Sequence, residues 1–150
     1  MKQFYSEFFE YNYHINKDLA EQFKGYTEIE LGTQVIRLAN HILNAHEVWI
    51  GRINQAMTIK SPWEDFPIHT FSGRNKTLYA QSLEIIKNRE LCEIITYRNF
   101  AGKEGRGKIS DILTHIVNHA TYHRGQIALI MRANGLEPIT SDFIHFKMKL

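Results

Sequence analysis

Residues 110–135 read SDILTHIVNHATYHRGQIALIMRANG, and the spacing of their apolar side chains decides the fold. Ile112, Leu113, Ile116, Val117, Ala120, Ile127 and Ile130 recur at three- and four-residue intervals, the period of a helix with one buried face. Ser110 suits the N-cap, where a hydroxyl accepts from a free backbone N–H, and Asp111 suits the positive first turn. Asn134-Gly135 supplies the stop, and Pro138 just beyond cannot continue a helix. The same helix carries His115, His119 and His123, three of the eight histidines in the chain.

The same periodicity appears elsewhere. Phe4, Tyr5, Phe8, Phe9, Asn12, Ile15, Leu19 and Phe23 predict a first helix over about 2–24, closed by Gly25. Leu31, Val35, Leu38, Ala45, Trp49 and Ile53 predict a second over about 30–55. A loop holding Pro62, Trp63, Pro67 and Gly73 follows, then a third helix from about Lys76 to Arg89 or slightly beyond. Leu91–Phe100 is rich in β-branched and aromatic residues, and the glycines of Ala101–Lys108 forbid a stable helix, so a small hairpin or extended crossover is expected there. The tail after Pro138 offers Phe143, Ile144 and Phe146 for packing back on the helices. These elements predict an all-α fold, a four-helix bundle with one long connection, forming a single domain over 1–150. Outside the main stripe of the second helix, Ile36, Leu43 and Ile50 make another apolar row, which asks for cover from the tail or from a second subunit and predicts a homodimer.

Composition excludes several classes. With 43% hydrophobic and 12% aromatic residues among 150, the chain can bury a core and is not disordered. A net charge of +2 with no basic stripe gives no reason to expect a nucleic-acid partner. No apolar run approaches the roughly 18 residues of a membrane span, and the acidic residues among the first ten are unlike a secretory signal. One cysteine, Cys92, cannot form an internal disulfide, which suits a cytoplasmic protein. Gly102-x-x-x-x-Gly107-Lys108 imitates a phosphate-binding loop, but Ile109 stands where the motif needs Ser or Thr for magnesium.

The histidines carry the chemistry. His119 and His123, four apart on a helix, lie over one another near one edge of the apolar stripe, and such a pair can reach one metal ion. His115, a turn earlier, rotates further from the stripe. The second helix offers His41 and His46, about 140° apart around its axis at 100° per residue, so only one of them can face the pair. Spacing alone leaves the choice open. A lone helical histidine is more often a core or surface residue than a ligand, and the pair plus a third histidine is what favours a metal. The mid-helix Gly125 costs about 1 kcal/mol relative to alanine and asks for a reason, either room beside an ion or close helix packing.

Two stretches give the chain a resemblance. His119-Ala-Thr-Tyr-His123-Arg124-Gly125-Gln126 matches the pattern H-x-x-x-H-R-G-Q, and Leu38-Ala-Asn-His41 leading on to Trp49 matches a helix-two pattern. With Tyr11-Asn12 and Asn16-Lys17 near the start, the chain resembles, over nearly its whole length, the DinB/YfiT-like family of metal-dependent enzymes. The resemblance implies a four-helix bundle, commonly homodimeric, with three histidines on one metal and an open coordination position. It selects His41 over His46, giving His41, His119 and His123 as the ligand set. Characterised relatives include thiol-dependent S-transferases and a mycothiol-dependent isomerase. The expected cofactor is a divalent ion, zinc or nickel, used with water or a low-molecular-weight thiol on a small-molecule substrate. The rival expectation is a non-catalytic dimeric protein whose metal is a structural staple, closed by a fourth protein ligand such as His115.

Overall fold

Four long amphipathic helices dominate: α1 (Lys2–Phe23), α3 (Thr33–Ile53), α4 (Phe71–Asn88) and α5 (Ile109–Ala133). Two short ones, α2 (Glu28–Leu31) and α6 (Phe143–Met148), and a hairpin of β1 (Ile94–Arg98) and β2 (Glu104–Lys108) complete the computed structural model, which describes residues 1–56 and 61–148. The architecture is the all-α bundle expected from the periodicity. α1 packs on α4, α4 on α3, α3 on α5, and α5 back on α1. Phe9, Leu43, Ile53, Leu113, Ile127 and Met131 fill the space between them, each essentially without exposure. No described helix is long and apolar enough to cross a membrane.

Helix ends differ from expectation in instructive ways. The expected second helix is split: Thr27 and Glu30 form a reciprocal capping box that starts α2, and Gly32 at φ 76° breaks the chain before α3. α4 begins at Phe71, five residues before the expected start, and so takes in Gly73. Burial of Phe71 against Phe23, ring centroids 6.1 Å apart, outweighs the helix cost of that glycine. Residues 57–60 of the expected loop lie outside the described residues.

Ser110 is not the N-cap of α5. The helix starts at Ile109, and the N–H groups of Ile109 and Ser110 donate to the carbonyls of Glu93 and Leu91 beside β1. The strand entry therefore satisfies donors that a capping hydroxyl would otherwise serve. At the far end Gly135, at φ 75°, donates to Arg132 O while Leu136 donates to Met131 O, the glycine-dependent closure expected there.

The glycine-rich stretch forms the second strand of an antiparallel hairpin, with Tyr97 opposite Gly105. A side chain at 105 would meet the Tyr97 ring at 2.8 Å, so this glycine makes room for the ring rather than for a phosphate. The tail does pack back: Phe146 is buried, and both Phe143 and Phe146 pack on Tyr11. Leu43 and Ile50, of the row expected to need a second cover, are buried within this chain's own core, so they make no demand for another subunit.

Candidate metal centre

The α3–α5 seam gathers His41, His119 and His123. One ring nitrogen from each lies within 4.8 Å of the others. Ring centroids are 5.0 Å apart for His41–His119, 4.7 Å for His41–His123 and 4.4 Å for His119–His123. His119 Nε2 and His123 Nε2 stand 3.1 Å apart, close to the roughly 3.3 Å that two nitrogens adopt around a tetrahedral zinc with bonds near 2.0–2.1 Å.

Hydrogen bonds fix which nitrogens are bare. His41 Nδ1 lies 2.8 Å from Pro62 O, and a carbonyl can only accept, so Nδ1 carries the proton and Nε2 is left as a lone pair. His123 Nδ1 lies 2.6 Å from Gln126 Oε1 with the same result. A ring that donates one N–H to an oxygen and presents its other nitrogen to a shared point is the arrangement of metal-ligating histidines. Desolvation, reinforced by the charges of His123, His41 and His115, pulls His119 down to about 4. Desolvation also lowers His41, against the pull of the Pro62 carbonyl. For His119 and His41 burial thus favours the neutral imidazole, the form in which histidine binds metal.

A polar ladder on α3 holds the connecting loop over this site. Asn40 donates to Phe66 O, and Asn44 donates to Pro62 O and Glu64 O. Arg74 of α4 braces the ladder by donating to Asn44 and to Glu47 at 2.7 and 3.1 Å. The loop so held delivers the Pro62 carbonyl to His41 and lays the Trp63 indole flat on that ring, 3.6 Å away. Sequence reasoning missed Asn40 and Asn44, although amides four apart on a buried helix face are a readable signal that a loop is tied there.

Arg124 sets the rotation of α5. It is buried and donates to Asn12 Oδ1 at 2.7 Å, Asn16 Oδ1 at 2.9 Å and Thr121 Oγ1 at 2.9 Å. Asn16 in turn donates to Asn75, whose amide reaches Tyr13 O. The Tyr11-Asn12 and Asn16-Lys17 pairs thus contribute the two amides that receive Arg124.

The remaining candidates stand apart. His46 points away from the seam into the core, beside Phe9, with Nε2 2.8 Å from Ser82 Oγ. Ser82 gives its own proton to Leu78 O, so His46 donates from Nε2, and burial depresses it to about 3. His115 is exposed, 5.4 Å from His119 between ring centroids, and its ring meets Trp49 instead of joining the three. A side chain at Gly125 would meet nothing within 4 Å, so close packing inside the chain does not require that glycine.

An all-α bundle with three histidines converging across one helix seam is the class of molecule this geometry defines. Within that class the chain belongs to the DinB family, whose model matches residues 1–149. Over 35 residues it is 43% identical to Protein DinB of Bacillus subtilis (strain 168), a match covering 23% of this chain and 20% of that protein.

Proposed function

We propose that this protein is a metal-dependent enzyme of the thiol S-transferase or hydrolase type, in which His41, His119 and His123 hold one divalent ion and leave a coordination position open. The supporting observation is the tautomer lock: Pro62 O and Gln126 Oε1 take the Nδ1 protons of His41 and His123, leaving both Nε2 lone pairs beside His119. An ion held only by neutral imidazoles keeps its full charge and would acidify a bound water or thiol. A structural staple would need a fourth protein ligand, and among the described residues only these three converge. The chain's own residues do the rest. The Asn40–Asn44 ladder holds the loop, Trp63 covers His41 from solvent on one side, and Arg124 keeps His119 and His123 turned toward α3.

Metal analysis of untagged protein, followed by a screen of low-molecular-weight thiols with electrophiles, tests this reading. About one equivalent of zinc or nickel and turnover that needs it are expected. A protein that takes up neither metal defeats the proposal.

A further inference from the structure

Two arginines flank the three histidines and the metal reading does not use them. On one side Trp63 stacks on His41 with planes 5° apart, and the Arg37 guanidinium covers Trp63 at 5.2 Å. On the other side Trp49 meets His115 at 5.1 Å, and the Arg52 guanidinium lies 4.3 Å over Trp49 and 5.1 Å over Tyr97. The rings form a continuous row along the α3–α5 seam, from Trp63 through the histidines to Tyr97, with a guanidinium at each end. At 1.5 Å rise per residue the two arginines stand about 22 Å apart along α3.

Neither guanidinium has a hydrogen-bond or ion-pair partner among the described residues, whereas Arg74 holds Glu47, Arg89 holds Glu93 and Arg124 holds Asn12 and Asn16. Asp65 and Glu28 share a surface hollow with Arg37 without pairing with it. No carboxylate joins the histidine group either, again among the described residues. A guanidinium lying over an indole face engages the ring without using its N–H donors in hydrogen bonds, and these stay available to a carboxylate or phosphate. The seam therefore combines a row of aromatic rings, coplanar at Trp63 and His41 and tilted or edge-on beyond them, with two arginines that no acidic side chain pairs among the described residues.

We propose that the site takes a small molecule whose planar or apolar body lies along this row of rings and whose oxyanion, a carboxylate or a phosphate, is read by Arg37 or Arg52. The proposal rests on the reading of the three histidines as the centre of a binding site, and its test is separable from that of the metal. Trp49 and Trp63 are the two tryptophans of the chain, so the two indole N–H signals in a nitrogen-15 spectrum report on the two ends of the row. Phenylacetate, phenyl phosphate and the uncharged phenylacetamide would be titrated into metal-free and zinc-loaded protein.

The anions are expected to shift an indole signal and to bind about tenfold more tightly than the amide, the equivalent of one charge-assisted contact. Whichever anion binds more tightly identifies the group. In Arg37→Gln/Arg52→Gln the ratio should fall to about one, and each single variant assigns the end that reads the anion. Lys24→Gln/Arg132→Gln, the same charge change at exposed positions elsewhere, should leave the ratio intact. Equal binding of acid and amide overturns the proposal, as does a preference that survives the double arginine variant or is lost equally in the control. Failure to bind zinc defeats the metal reading alone, because the acid-to-amide ratio is still read in metal-free protein.

Discussion

Two polar seams run through this bundle, and they treat their nitrogens in opposite ways. Between α1, α4 and α5, Arg124, Asn12, Asn16 and Asn75 exchange hydrogen bonds among themselves, and beside them His46 of α3 donates to Ser82 of α4. Between α3 and α5, His41 and His123 spend their N–H groups outward on Pro62 and Gln126 and leave lone pairs facing a common point. The first seam answers most of its polar groups internally, with Arg124 Nε and His46 Nδ1 left buried and unpartnered. The second leaves converging lone pairs that could hold a cation. Burial alone does not separate them, since His41, His46 and His123 are all buried. Whether the bare nitrogens converge does.

The comparison breaks most visibly at the ligands. His41→Ala, His119→Ala and His123→Ala should each lose stoichiometric zinc in titration calorimetry, a larger effect than the roughly 10–100-fold cost of removing an outer-shell partner. Each should change metal-free stability little. His46→Ala should keep the metal, and the reverse ranking of His41 and His46 would overturn the helix-two assignment.

Acid comes next. The His46 value falls from 6.5 to about 3 on folding, so protons bind the unfolded chain more readily than the native one. Its stabilising effect is complete above about pH 6.5 and is lost as pH falls toward 3, on the order of 5 kcal/mol in all. Urea melts of metal-free protein across that window should show the loss, and His46→Leu should flatten it. A slope unchanged by that substitution would remove His46 from the account.

Arg124→Met should cost about 3 kcal/mol, because Asn12 and Asn16 lose their donor inside the core. Thermal melts measure it. Metal should still load well below the midpoint if Arg124 serves position and not coordination. The smallest effect is a gain: Gly125→Ala should raise stability by about 0.5–1 kcal/mol, since the added methyl meets open space on an exposed turn of α5. Unchanged zinc affinity in that variant would rule out the idea that Gly125 keeps room for the ion.

Much of this was legible in the sequence, and the gaps have physical reasons. Three- and four-residue periodicity suffices for long helices because each must bury a stripe, and the His119/His123 pair follows from the same geometry. The boundary at Phe71 was hidden because a contact with Phe23, distant in sequence, fixed it. Ser110 looked like a cap because its true alternative, the carbonyls of Leu91 and Glu93, becomes visible only once the hairpin has folded beside α5. The choice of His41 over His46 needed the family pattern. Spacing placed them on opposite flanks but could not say which flank met α5. The role of Arg37 and Arg52 left no mark in the sequence, since stacking over an indole has no fixed spacing.

Arg124 and Asn12 are 112 residues apart in sequence, which ties the geometry of the site to the order of folding. Contacts between distant segments form late, because loop-closure entropy opposes them until nearer contacts have reduced it. Until α5 docks, Asn12 and Asn16 are answered by water, and no partner fixes the angle at which that helix lands. A slip of one residue turns a helix by about 100° and would carry His119 and His123 off the face that meets His41. The Arg124 latch therefore ties register to burial: the docking of α5 that gives the guanidinium its partners also brings His119 and His123 to His41, and a misdocked α5 would be left with a buried, unanswered guanidinium.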